Sequence, residues 1–248
     1  MSNSNLVTYR RISPNKTSPR NHVIDTITIH CYVGQVTAER GCNSSRFTKY
    51  NPVSGASCNY VVGFDGSIGL CVDESDRSWC SSNRANDHRA VTIEVASETV
   101  HPYRVTDKAY KALVELVADI CKRNNINQLR WRGDKSLIGH TARQNMTVHR
   151  WFAAKACPGD YLYDLHGRIA DDVNKRLGVQ DDRGGSKFPY KVKITASSLN
   201  VRSGPSALHP KTTSVKKGGV YTVVEEKGNW GRLKSGSGWI CLNYTAKI

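Results

Sequence analysis

The stretch Val179-Gln-Asp-Asp-Arg-Gly-Gly-Ser-Lys187 constrains this chain more than any other. It is polar, carries a Gly-Gly pair and has no apolar periodicity, so it reads as a flexible linker. A chain interrupted in this way folds as two bodies. Residues 1–178 are long enough for a core of their own, whereas residues 188–248 lie near the lower size for independent folding. The charge divides at the same place. Residues 1–186 carry 25 Lys+Arg against 19 Asp+Glu, a balance of +6, and residues 187–248 carry 11 against 2, a balance of +9. Basic charge this concentrated predicts attraction to a polyanion: nucleic acid, anionic lipid or an anionic bacterial wall.

In the larger part, strand and helix patterns are mixed. Residues 23–31 alternate Ile27, Ile29 and Cys31 against Thr26, Thr28 and His30. That is the period of a strand with His30 at its end on the polar face. Adjacent strand residues point to opposite faces, which sets Cys31 apart from a metal held by His30. Residues 34–57, rich in Gly, Ser, Asn and Pro, read as a long surface loop. Residues 59–72 read as two strands joined at Asp65-Gly66. A polar segment to residue 90 holds Trp79, Ser81, Ser82, Asn83, Asn86 and His88, and then Val91, Ile93 and Val95 alternate with Thr92 and Glu94 in another strand.

A helix is expected from an N-cap at Thr106 to about Asn124, with Ala109, Leu113, Leu116, Val117, Ile120 and Cys121 on one face. A second follows Pro158-Gly159-Asp160, with Leu165, Ile169, Val173 and Leu177 four residues apart. The fold class is therefore α/β, a mixed central sheet flanked by helices. The tail offers only short strands, near 191–196, 221–226, 228–233 and 238–242, as in a small all-β barrel.

No apolar run approaches the roughly 18–20 residues of a membrane span. The first residues lack the apolar region of a secretory signal, which predicts a chain made and kept in the cytoplasm until something releases it. Eight cysteines without a CxxC pair then predict reduced thiols. One short segment, His149-Arg-Trp-Phe-Ala-Ala-Lys155-Ala-Cys157-Pro-Gly, places an imidazole, an amine and a thiol within nine residues. A catalytic zinc site needs three protein ligands and one open position, and His30 would complete the set. On composition alone His140 is an equally good third ligand, and an isolated His–Cys pair more often has a structural role.

Thr28-Ile-His30, Asn59-Tyr-Val-Val-Gly-Phe-Asp-Gly-Ser-Ile68, and His149 eight residues before Cys157 in Lys155-Ala-Cys-Pro-Gly159 together resemble the zinc-dependent N-acetylmuramoyl-L-alanine amidases, the family that shares its fold with phage T7 lysozyme and the peptidoglycan recognition proteins. The run from Asp76 through Asn83 to Thr92-Ile-Glu94-Val-Ala96 looks like endolysins of phages infecting clostridia and related bacteria. The resemblance covers about residues 20–177. It implies His30, His149 and Cys157 as Zn2+ ligands, Glu94 as general base, and Lys155 stabilising the oxyanion or assisting proton transfer. Relatives often have a tyrosine or histidine just before the Tyr60 strand, where this chain has Cys58-Asn59, and that departure shifts the weight to Glu94. Trp79, Asn83 and Asn86 would line a groove for a sugar–peptide strand, with a core role for Trp79 as the alternative. His140, His22, His88, His101, His166 and His209 stay outside the ligand set.

The tail resembles a bacterial SH3 domain in Leu199-Asn-Val-Arg-Ser-Gly-Pro205, Asn229-Trp230 and Gly238-Trp-Ile240. The domain arrangement expected is thus a zinc amidase over 1–178, a linker over 179–187 and a wall-binding module over 188–248. Its partners would be peptidoglycan and anionic wall polymers. A phage or prophage enzyme released through a holin pore and a host autolysin share this chemistry, and a non-catalytic peptidoglycan binder is the competing class. Neither nucleic-acid binding nor membrane insertion is expected, because no helix-turn-helix, finger spacing or RNP-like run accompanies the charge.

Overall fold

The structure, a computed structural model, describes residues 2–179 and 189–248. From residue 180 onward the expected linker lies outside the described residues. The chain divides into two compact units, Met1–Val179 and Gln180–Ile248.

In the first unit, short strands β1 (Tyr9–Arg10) and β2 (Lys16–Thr17) precede the central strand β3 (Thr26–Cys31). Helices α1 (Ala38–Cys42) and α2 (Ser45–Thr48) follow, then strands β4 (Tyr60–Val62), β5 (Ile68–Leu70) and β6 (Arg77–Ser78). Helix α3 (Arg84–Arg89) leads into β7 (Ala90–Val95), the long helix α4 (Asp107–Arg123), β8 (Met146–Thr147) and finally α5 (Gly159–Leu177). The six-stranded sheet runs β1-β5-β4-β7-β3-β8. It is mixed: β3 pairs parallel with both β7 and β8, whereas β4 and β5 form an antiparallel hairpin. The hairpin turns at Gly66, whose φ of +89° favours a residue without a Cβ.

Strand β3 is buried at all six positions, not on one face as its alternation suggests. The reason is that both faces of the sheet are covered. Ile27, Ile29, Val91 and Ile93 pack with Leu113, Leu116 and Ile120 of α4 and Leu162, Ile169 and Val173 of α5. The opposite face carries Thr28, His30, Thr92 and Glu94, and a second apolar cluster of Cys42, Phe47, Cys58, Val61 and Cys71 forms beside them. Residues 34–57 are correspondingly not one loop. Thr37 caps α1 by accepting a hydrogen bond from the Arg40 amide, and helices of four or five residues are too short to print an apolar period on the sequence. Likewise α3 interrupts the polar segment, capped by the Asn83 side chain on the Asn86 amide.

Helix α4 starts after Thr106, whose hydroxyl accepts from the Ala109 amide. Helix α5 starts at Gly159, at φ +79°, where a Cβ would meet Tyr103 at 2.9 Å. Its buried face is Leu162, His166, Ile169, Ala170 and Val173; Leu165 and Leu177 are only half-buried at its edge. The stripe read from the sequence is therefore rotated, because an imidazole takes one core position.

In the second unit β9 (Tyr190–Ile194), β10 (Ser198–Arg202), β11 (Lys211–Lys216), β12 (Val220–Lys227), β13 (Trp230–Leu233), β14 (Trp239–Cys241) and β15 (Thr245–Lys247) make one seven-stranded sheet. Its order is β11-β10-β14-β13-β12-β9-β15. Val192, Ile194, Leu199, Val201, Val223, Leu233 and Ile240 fill its core. Trp239 is buried too, with the Lys227 ammonium 5.7 Å from its ring centroid. Among the described residues no helix is long and apolar enough to cross a membrane.

Candidate metal centre

The parallel pairing of β3 and β7 places His30 directly opposite Glu94. Side chains in register on adjacent strands share a face, so the two groups meet on the polar side of the sheet. The other expected ligands arrive from the chain between β8 and α5. His149 opens a 3-10 turn, His149–Trp151, and Cys157 lies two residues before α5. Trp151 is buried and stacks on Trp131 with centroids 5.1 Å apart and planes 4° from parallel. That stack anchors the turn carrying His149.

His30, His149 and Cys157 bring one ligand atom each to within 4.8 Å of one another. Cys157 Sγ is 3.4 Å from His30 Nδ1. Zinc–sulfur and zinc–nitrogen bonds of about 2.3 and 2.05 Å at a tetrahedral angle put those atoms roughly 3.5 Å apart. The other nitrogens are occupied: His30 Nε2 is 3.2 Å from Ser81 Oγ and His149 Nε2 is 3.0 Å from Ser82 Oγ. His30 thus turns Nδ1 to Cys157 while Ser81 bonds its other nitrogen, and Ser82 holds the His149 ring. Burial, then His149, pushes His30 down to about 3, and burial followed by Lys155 lowers His149. Both imidazoles are neutral near pH 7, as ligands must be. The donor set, the spacing and the protonation state all fit zinc.

Behind these three side chains lies a buried polar network. Asn86 Nδ2 donates to Ser81 Oγ at 3.2 Å and to Thr28 Oγ1 at 3.1 Å. Thr147 Oγ1 donates to Asn86 Oδ1 at 2.9 Å. The Asp87 carboxylate accepts from the backbone amides of Cys80 and Ser81, holding the serine loop in place. Asn86 therefore supports the serine bonded to His30 instead of lining the groove. The contribution of Ser81, Ser82, Thr28 and Thr147 has no signal in a single sequence beyond a cluster of small polar residues.

Glu94 is half-buried, and desolvation lifts its carboxyl well above the ordinary range, with a smaller contribution from Cys31 and opposition from Arg46. Its Oε2 is a buried oxygen without a hydrogen-bond partner among the described residues, and Oε1 is 3.9 Å from Cys80 Sγ. His30, Cys80 and Glu94 form a second ligand-like group that shares His30 with the first. Lys155 is exposed and, with His149, lines a groove of about 490 Å³. Trp79 and Asn83 also line it, Trp79 being half-buried with its indole N–H bonded to Thr17. Cys58 is buried in the apolar cluster and Asn59 spends its amide on Val72, Asp73 and Thr92, so neither joins the ligand group. His140 is exposed and belongs to no ligand group among the described residues.

A family model described as N-acetylmuramoyl-L-alanine amidase matches residues 20–160, and one described as bacterial SH3 domain matches residues 197–244. No curated protein matches the chain. Among solved structures, an endolysin N-acetylmuramoyl-L-alanine amidase, LysCS, from Clostridium intestinale URNW is 14% identical at a TM-score of 0.45, with 70% of this chain and 98% of that one covered. A mutant endolysin from Bacillus subtilis is 17% identical at 0.47, covering 67% and 99%. The structure of PlyL is 16% identical at 0.45, covering 67% and 94%.

Proposed function

The chain belongs to the N-acetylmuramoyl-L-alanine amidase family, and on that footing we propose that His30, His149 and Cys157 hold a catalytic zinc ion, with Glu94 as the proton-transfer group and Lys155 facing the oxyanion. The reaction is hydrolysis of the amide between the lactyl group of N-acetylmuramic acid and L-alanine in peptidoglycan. The observation that carries the site assignment is the 3.4 Å approach of Cys157 Sγ to His30 Nδ1, with His149 in the same ligand group. When bound, zinc supplies Lewis acidity and lowers the pKa of a water to about 7.

The chain's own residues do the rest. Glu94, on the strand beside His30, takes the proton of the attacking water on a carboxylate oxygen and returns it to the leaving alanyl amine. Lys155 projects from the groove wall next to His149 and donates to the carbonyl oxygen as charge develops there. Ser81, Ser82 and Asn86 hold the imidazoles in orientation. The set with two imidazoles and a thiolate is preferred over His30, Cys80 and Glu94 because it leaves Glu94 unliganded for proton transfer.

Residues 1–178 form the catalytic domain in this reading, 188–248 a module that binds the wall, and 179–187 the tether between them. The basic module would engage anionic wall polymers. A phage origin, with the enzyme held in the host cytoplasm and released through a holin pore, suits the arrangement. The test is incubation of the full chain with purified peptidoglycan, with and without a chelator. New L-alanine amino termini without new reducing sugars, abolished by chelation and restored by zinc, are expected; new reducing ends would overturn the assignment.

A further inference from the structure

The groove beside His149 is basic. Besides Lys155 it is lined by three guanidinium groups, Arg46, Arg77 and Arg84. The one acid among its described lining residues, Asp87, is buried, accepts from the Cys80 and Ser81 amides and acts on Arg77. Among the described residues none of the three arginines has an ion-pair partner. Arg77 lies 5.9 Å over the Trp79 ring, donates to the Thr17 hydroxyl, and keeps its buried Nε without a partner. Burial lowers the pKa of Arg77, Asp87 opposes that and Arg84 adds to it, whereas Arg46 and the Glu94 carboxylate attract, which lowers the carboxyl. Like charges gathered in one cleft repel one another unless an anion is shared between them, and planar guanidinium groups match a carboxylate, as they do a phosphate, through paired hydrogen bonds.

Resting on the amidase reading above, we infer that Arg46, Arg77 and Arg84 form a carboxylate subsite for the stem peptide, taking the free α-carboxylate of a γ-linked D-glutamate next to the L-alanine. That carboxylate is the first anionic group on the peptide side of the scissile amide. In walls where it is amidated the charge is gone and one of the two acceptor oxygens becomes an NH2 donor facing groups that can only donate, leaving a single carbonyl oxygen to accept. The subsite therefore selects D-isoglutamate stems over D-isoglutamine stems.

The test compares two otherwise matched peptidoglycan preparations, one with D-isoglutamate and one with D-isoglutamine at stem position two. Release of L-alanine amino termini by the full chain is the readout. The expected ratio of kcat/KM is about ten- to a hundredfold in favour of the acid form, as for a charge-assisted hydrogen bond. Arg46→Gln and Arg84→Gln, both at exposed side chains, should compress that ratio towards one, Arg84→Gln chiefly through KM and Arg46→Gln with a change in kcat on both walls as well, because Arg46 acts on Glu94. A general loss of folding would lower both rates and leave the ratio alone. Equal cleavage of the two walls by the wild type, or a ratio that survives Arg46→Gln, Arg77→Gln and Arg84→Gln together, overturns the subsite while leaving the amidase intact. Cleavage of neither wall overturns the amidase reading, and the subsite with it.

Discussion

Cys157 and Cys80 both come within ligand reach of His30, and they separate the two metal arrangements at the level of single atoms. If zinc is held by His30, His149 and Cys157, Cys157→Ser should abolish stoichiometric zinc binding, whereas Cys80→Ser should retain one ion per chain by mass spectrometry. The reverse pattern would move the ion to Glu94 and remove its role in proton transfer. A finer prediction concerns Asn86, which touches no ligand atom of the set but bonds the serine on His30. Asn86→Ala should weaken zinc about 10–100-fold, since outer partners fix ring orientation; unchanged affinity in a competition titration would mean the ring is held by packing alone. His30, His149 and Cys157 were singled out in the sequence by motifs resembling the amidases, since spacing alone left His140 an equal candidate, and the structure brings these three side chains together. Asn86 was legible only as a polar residue, because its partners Thr28 and Thr147 are 58 and 61 positions away and such bonds leave no local pattern.

At the scale of elements, α5 shows what periodicity can and cannot convey. Its stripe of Ile169 and Val173 predicted the helix, yet the helix turns so that His166 is fully buried. The His166 Nδ1–H donates to the Leu162 carbonyl at 2.7 Å, Nε2 is buried without a partner, and the Trp131 ring lies 4.5 Å away. Hydropathy patterns treat histidine as polar, and only the packed aromatic group around Trp131 explains its place. Burial pushes His166 down to about 4, against an unfolded value of about 6.5. The unfolded chain then binds more protons, so stability is complete above pH 6.5 and is lost as pH falls through that value towards 4. The loss attributable to His166 by pH 5 is about 2 kcal/mol. Thermal unfolding of the wild type should fall relative to His166→Leu between pH 7 and 5 by roughly 4–8 °C; parallel profiles would show that His166 charges in the folded state. The pairing of His30 with Glu94 belongs to this scale too. Alternation put each on the polar face of its own strand, but the register joining positions 64 residues apart is set by the sheet and could not be read from either.

For the whole molecule, the uneven charge makes a prediction that the catalytic site does not. The basic excess of +9 in residues 187–248 is paired with a fold whose core is small and whose only acids are Glu225 and Glu226. Glu225 is held by Arg232 at 2.7 Å and Glu226 by the Tyr190 hydroxyl, so few anionic groups offset the positive field. If this unit delivers the enzyme to the wall, removing residues 188–248 should abolish sedimentation with intact walls and slow their hydrolysis about tenfold or more, because tethering raises local concentration at an insoluble substrate. Hydrolysis of a soluble muropeptide should be unaffected by the same deletion. Salt then separates charge from shape. Long-range attraction is screened over about 10 Å at 0.1 M and 3 Å at 1 M, so binding carried by the basic field should fall steeply between those concentrations. Binding that survives 1 M salt and is lost on deletion would assign recognition to a specific pocket of the small unit. Wall binding that survives the deletion itself would assign it to the amidase groove and leave the basic tail without a targeting role.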